Sequence, residues 1–378
     1  AAGVCISCLV GIVDVANPLI LQPLVPDLLR SLLLAMSTLE PAAFNYLQVR
    51  AAGQERGSET YDSLERLRLQ VVQSGPLATA VTKCLDMIPR LDPKIQQAVV
   101  PELDSAIRLS AGLTTRTTAA DCVATLCTTC PNAFKSNLPS SKNPSVTLLR
   151  LLYFACERER GQAARDKYAH ACGSLAALCP GSSVRSLALR ASGKYNASTG
   201  SNDDPAARKA AAITLRAIAV KASSQFSDGG NNDIWCRRVL PVAFLGMRDP
   251  DPSVASLFAD VWEEGGSVAN LSGAADGFGS LLEEKLILSL VQECVSALKD
   301  VSWSRRVTGA NALKELATKE ILSPAPRRLN SGMRERVLDD LIRAQRRAQA
   351  SSIALVALLT GITETRLWSG KQSLVESC

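Results

Sequence analysis

Apolar residues in this chain recur at the spacing of a helix surface, and the best-defined stripes are separated by turns of only three residues. Between Asp251 and Glu264 the apolar positions are Val254, Leu257, Phe258, Val261 and Trp262, the i, i+3, i+4, i+7, i+8 pattern of one buried helix face. The segment before it, Trp235 to Met247, presents Val239, Leu240, Ala243, Phe244 and Met247 in the same way, and only Arg248, Asp249 and Pro250 lie between the two. A linker that short folds the second helix back on the first, so the unit is an antiparallel helix pair. Such a pair cannot cover its own apolar flanks, and stacking further copies does so.

Further copies are legible. Ile287, Leu290, Val291, Cys294 and Leu298 precede a turn at Lys299-Asp300-Val301, and Trp303, Val307, Ala310, Leu313 and Ala317 follow it. Another copy begins near Ile353 and turns at Thr363-Glu364-Thr365, and Trp303-Ser304 and Trp368-Ser369 echo each other just after their turns. Fainter pairs are Leu24 to Met36 with Pro41 to Ala51, Gln96 to Ser110 with Thr117 to Cys130, Ser145 to Cys156 with Ala163 to Leu178, and Val184 to Ser192 with Pro205 to Ala222. Acid-proline junctions recur at Glu40-Pro41, Asp92-Pro93, Asp204-Pro205 and Asp251-Pro252. There the acid can accept orphan N–H groups at a helix start, and proline suits the first helical position.

The expected fold is therefore all-α, a HEAT-repeat α-solenoid of stacked antiparallel helix pairs. One continuous segment over residues 1–378 would hold about seven to eight pairs. Polar stretches near 53–63, 139–145, 198–204, 227–233, 265–280 and 323–331 read as loops between repeats. Composition agrees: 47% of residues are hydrophobic but only 4% aromatic, the make-up of close-packed Leu, Ala and Val helices rather than strands.

The charge balance excludes one class of partner. Forty-two Lys+Arg against 36 Asp+Glu give +6, with both signs spread along the chain. A nucleic-acid surface needs basic residues gathered on one face. The densest basic run, from Arg327 and Arg328 through Arg334, Arg336, Arg343, Arg346 and Arg347, is interrupted by Glu335, Asp339 and Asp340 and reads as an exposed helix face. No membrane insertion is expected, because Lys or Arg recurs within each apolar candidate such as Ala210 to Ala222. The apolar opening, Ala1 to Ala16, lacks a basic leader and reads as an amphipathic helix and not a signal peptide.

Three constellations resemble chemistry. Cys122, Cys127 and Cys130, with Cys156 as a fourth, have part of a ferredoxin spacing. On a helix, however, Ala119, Cys122, Val123, Leu126, Cys127 and Cys130 share one arc, so the thiols read as buried, reduced core residues. The single histidine, His170, has Cys172 two residues on, which points elsewhere on a helix, and no strand-turn-helix elbow flanks any serine. It reads as a surface or boundary residue. Ser369-Gly370-Lys371-Gln372 lacks the Ser or Thr that follows the lysine of a phosphate loop, and Gly277-Phe278-Gly279 has no preceding strand. No catalytic, cofactor-binding or metal-ligating residue is assigned, and no cofactor is expected.

Asp300 followed by Arg305-Arg306 resembles the HEAT habit of an Asp at the turn and an Arg six positions on, a pair that links successive repeats in a polar ladder. Longer strings resemble one family, that of the large HEAT-repeat proteasome adaptor and scaffold protein. They are Leu39 to Arg50 (LEPAAFNYLQVR), Val239 to Met247 (VLPVAFLGM), Ala310 to Ala317 (ANALKELA) and Arg366 to Lys371 (RLWSGK). The basic insertion from Ser323 to about Arg347 departs from the family pattern. The resemblance implies a non-enzymatic scaffold, corresponding to part of the C-terminal half of a much longer protein. Such a scaffold would bind proteasome core and regulatory particle subunits, bridge or stabilise their contact, and link them to quality control, including endoplasmic-reticulum-associated degradation. It implies a cytoplasmic and nuclear location, with peripheral presence at the endoplasmic reticulum or endosomes through partners. The rival reading is a transport or vesicle-coat solenoid that binds cargo proteins. That type would show repeated Asn or acidic residues along a concave face, and no regular Asn ladder is present.

Overall fold

A computed structural model describes residues 18–38, 59–110, 112–135, 142–199, 204–226, 234–268, 284–300 and 302–316, with a few single positions outside these runs. The expected copy from Ile353 to Cys378, the basic run 327–347, and the motifs at 277–279 and 369–372 lie outside the described residues, and of the expected helix Pro41 to Ala51 only Tyr46 and Leu47 are described, both helical. Of Ala1 to Ala16, five single positions are described, all helical.

Every described element is helical. The principal helices are α1 (Val25–Thr38), α2 (Glu59–Gln73), α3 (Pro76–Met87), α4 (Pro93–Leu109), α5 (Leu113–Thr129), α6 (Pro144–Arg158), α7 (Gln162–Ala176), α8 (Gly181–Ala197), α9 (Pro205–Lys221), α10 (Leu240–Gly246), α11 (Pro252–Val268), α12 (Glu284–Leu298) and α13 (Trp303–Leu316). The chain divides into two compact units, Ala1–Val184 and Arg185–Cys378, with α8 running across the division.

The caps follow the sequence. Asp92 accepts from Lys94 N at 2.8 Å, Asp204 from Ala206 N and Ala207 N at 3.1 Å each, and Asp251 from Ser253 N at 2.8 Å. Each satisfies donors that a helix start leaves open, with proline at the next position. Asn143 does the same for α6, accepting from Ser145 N at 3.0 Å.

In the first unit α4 pairs with α5 and α6 with α7. In addition α4 packs on α6 and α5 on α7, so first helices form one layer and second helices another, the HEAT arrangement. Leu29, Leu33, Val99, Leu103, Ala119, Val123 and Leu126 are fully buried between them. Each larger aliphatic side chain buried this way contributes about 1.5–3 kcal/mol. α1 enters this core against α3, α4 and α5. It is tied to α5 by hydroxyls: Ser37 Oγ lies 2.7 Å from Thr115 Oγ1, which donates to the Leu33 carbonyl at 2.7 Å.

The second unit repeats the scheme, with α10 against α11, α12 against α13, and α9 on α11 and α10 on α12. The segment Trp235 to Met247 is not uniform helix. Trp235–Val239 forms a π-turn, with the Leu240 N–H bonded to the Trp235 carbonyl five residues back. Pro241 supplies the reason: it has no N–H for the regular ladder, and the wider turn absorbs the defect. α10 is buried on every side.

One packing expectation fails. Trp303 does not join the core stripe of α13; it is 43% exposed, with the Arg306 guanidinium 5.7 Å over its ring. The core face is rotated to Arg305, Thr308, Ala310, Ala312, Leu313 and Leu316, because the buried Arg305 is drawn inward by polar partners on α8.

Candidate functional site

The thiols carry the strongest chemical motif in the sequence. Cys122, Cys127 and Cys130 lie on α5 and just after it, and Cys156 lies on α6; all four are buried. Among the described residues no group of three or more His, Cys, Asp or Glu side chains is placed to hold a metal ion. Burial pushes Cys84 up to about 11, Cys179 and Cys294 up to about 12, and Cys122 and Cys172 well above the ordinary thiol range. A thiol held in its neutral form is a poor nucleophile. A thiol reagent at neutral pH should therefore label the exposed Cys8 rapidly. Cys84, Cys122, Cys156, Cys172 and Cys294 should react only as fast as their helices open, as mass spectrometry of timed labelling would read. Burst labelling of Cys122 would contradict this packing. His170 is exposed on α7.

The sequence pointed more usefully at its turn residues, which meet in the second unit. Asp249, in the turn between α10 and α11, accepts from Asp251 N at 2.9 Å and from the Tyr195 hydroxyl at 3.0 Å, and pairs with Arg208 Nε at 3.2 Å. Both charged side chains of that pair are almost wholly buried. Burial pushes the Asp249 carboxyl up even though the Asp251 N–H and the Arg208 guanidinium favour its charge. Desolvation thus outweighs attraction, as is common for buried ion pairs.

Asp300, in the turn between α12 and α13, completes the ladder. Its carboxylate lies 3.5 Å from Arg305 Nε, while Arg306 donates to its backbone carbonyl at 3.0 Å. The ladder residue is therefore Arg305, five positions on, and not the sixth. From α13 its guanidinium reaches back to the Asn196 carbonyl and the Thr199 hydroxyl at the end of α8, and lies 3.8 Å from Glu293. Asn196 in turn donates to Glu293 at 2.7 Å. The cleft lined by Tyr195, Thr199, Arg208, Asp249, Ser304 and Arg305 has room for a water molecule and not for an organic ligand. Its chemistry is that of a joint between repeats.

The comparisons with known proteins point to the same repeat architecture. Residues 21–196 match the family model described as "Proteasome adapter and scaffold protein ECM29, HEAT-repeat domain". Over those residues the chain is similar to an ECM29 HEAT-repeat domain. It is 27% identical over 363 residues to the human "Proteasome adapter and scaffold protein ECM29", and 22% identical over 357 residues to the "Proteasome-associated protein ECM29 homolog" of Drosophila melanogaster. Each alignment covers 94% of this chain and 16% of the relative. The resemblance read from four short strings therefore holds, and it is ECM29-like along nearly the whole chain, which spans about a sixth of the length of these relatives.

Sequence reasoning missed the other end of the ladder. Tyr195, Asn196 and Arg208 carry no local pattern; only the Asp at each turn is marked, by its position before the next helix.

Proposed function

We propose that this chain is a non-enzymatic scaffold segment that binds the proteasome, bridges or stabilises its core and regulatory particles, and thereby links it to protein quality control. The observation that carries this reading is the ECM29-like alignment along 94% of the chain, supported by HEAT-type pairs whose buried polar side chains serve as joints. Helix pairs joined at their turns offer extended surfaces, and small changes between repeats let such a surface follow several subunits at once. On this reading the chain is one continuous run of repeats, acts in the cytoplasm and nucleus, and has proteasome subunits as its partners. No described helix is long and apolar enough to cross a membrane, so presence at the endoplasmic reticulum or endosomes would come through those partners.

The test is deletion of this segment from the full-length protein, followed by affinity capture of proteasomes and mass spectrometry of the co-purifying subunits. Loss of core or regulatory particle subunits is the expected result. Undiminished capture would place the contact elsewhere in the protein and overturn the reading for this segment.

A further inference from the structure

The N-terminus of α7 has no cap of its own, because Gly161 stands at the cap position and offers no side chain. Its open backbone donors are met instead by α2. Glu65 Oε1 accepts from Ala164 N at 2.9 Å, and Asp62 Oδ1 accepts from Gln162 N at 3.3 Å, across 99 and 100 residues of sequence. The missing side chain at 161 makes the room: a Cβ there would lie 1.7 Å from Glu65 Oε2. Glu65 is 3% exposed, and its Oε2 has no hydrogen-bond partner.

Its electrostatic surroundings are mixed. Asp62 lies one turn before it on α2, and Glu159 lies just ahead of α7. From α7, Arg165 and Tyr168 face it, whereas Asp166 is bonded to Gln162, Lys167 to Asp121, and His170 is exposed. Arg165 spends its Nε on the Glu159 backbone carbonyl at 2.8 Å, and Arg116 of α5 pairs with the Glu159 carboxylate at 3.4 Å. The other helix packed on α2, α3, carries Lys83 and Asp86. Arg68, also buried, lies one turn after Glu65 on α2. A buried carboxylate with one oxygen unpartnered, whose neighbours Arg165 and Arg116 are engaged at Glu159, is poorly solvated.

We propose that α2 is a proton-controlled latch, seated on the N-terminus of α7 through the Glu65 carboxyl, tightly when that group is neutral and weakly when it is charged. Taking up a proton from solvent breaks no bond to the protein: Oε1 still accepts from Ala164 N, and Oε2, which accepts nothing, becomes a hydroxyl. Burial is the largest influence and holds Glu65 at about 7, with Glu159 and Asp62 raising it further and the Ala164 N–H and Arg165 lowering it. The value is raised, so the contribution to docking is complete below the ordinary carboxylate range and is lost as pH rises through about 7. Across that window the docking equilibrium shifts by up to about a hundred-fold.

Hydrogen exchange of the whole 378-residue chain, compared at pH ~6 and ~8 after correction for intrinsic rates, reads the latch directly. Protection of α2 should fall about tenfold or more at the higher pH while that of α4 changes little. Glu65→Gln, an isostere of the neutral acid, should leave α2 equally protected at both values. Gly161→Ala should expose α2 at both, since it evicts the carboxyl. Asp62→Asn should keep the wild-type difference. Equal wild-type protection of α2 at the two values overturns the proposal whatever the variants do, and so does a pH difference that survives Glu65→Gln.

Discussion

Replacing Asp249 with alanine should destabilise the second unit by about 3–5 kcal/mol, among the largest effects of any single polar substitution in this chain. Arg208 would remain some 5% exposed with its opposite charge removed, the Tyr195 hydroxyl would lose its acceptor, and the turn would lose the bond from Asp251 N. The penalty comes from the charge left behind more than from the attraction lost, because burial already opposes ionisation of Asp249 in the intact pair. Replacing both partners, as in Arg208→Met with Asp249→Leu, should therefore recover most of the loss. All four tryptophans lie in residues 185–378, so urea unfolding followed by tryptophan fluorescence reports this unit alone. Asp260→Ala supplies the contrast. It breaks a pair with Arg216 in which the side chains are 50% and 40% exposed, and it should change stability by no more than about 1 kcal/mol. Equal effects for the two aspartates would remove the case for a buried joint.

Phe258→Ala should cost a similar amount, about 3–5 kcal/mol, for a different reason. Phe258 is fully buried, with its ring edge-on to Tyr195 at a centroid separation of 4.6 Å. Its ring also occupies the space a side chain at Gly246 would need, since a Cβ there would lie 2.3 Å from the ring. Removing the ring leaves a cavity that a glycine on the facing helix cannot fill. Tyr195 connects the two predictions, with its ring on Phe258 and its hydroxyl on Asp249. In a double-mutant cycle the two losses should fall short of additivity by about 0.5–3 kcal/mol. Strict additivity in the same fluorescence assay would mean that Tyr195 does not couple them.

Helix identity was readable wherever one face is purely apolar, and it was lost where polar residues enter the core. α3 presents Leu77, Ala80, Val81, Cys84, Leu85 and Ile88 at clean helical spacing, a stripe present in the sequence although no helix was assigned there. α2 is the harder case. Its buried face includes Glu65 and Arg68 as well as Leu69, and the stretch Gly53 to Ser63 read as loop although Glu59 to Ser63 begin the helix. A carboxylate on a buried face conveys nothing locally, because the donors that justify it sit about a hundred residues away on α7. Trp303 erred in the opposite direction. It occupies a core position by periodicity, but Arg305 takes the inward face once α8 supplies acceptors for it.

The sequence by itself determined that the chain is helical, where most of the helices other than α2 and α3 lie and several begin, that the best-marked ones fold in antiparallel pairs, and that four short strings resemble the ECM29 family. These are consequences of 3.6-residue periodicity, capping chemistry and linker length, all of which act within one or two turns of chain. The tertiary structure alone decided which polar residues become joints: Arg208 for Asp249, Asn196 and Thr199 for Arg305, and Glu65 for the bare start of α7. Those choices join residues some 40 to 110 positions apart. The free energy that makes each one favourable comes from removing both partners from water together, which no local pattern encodes.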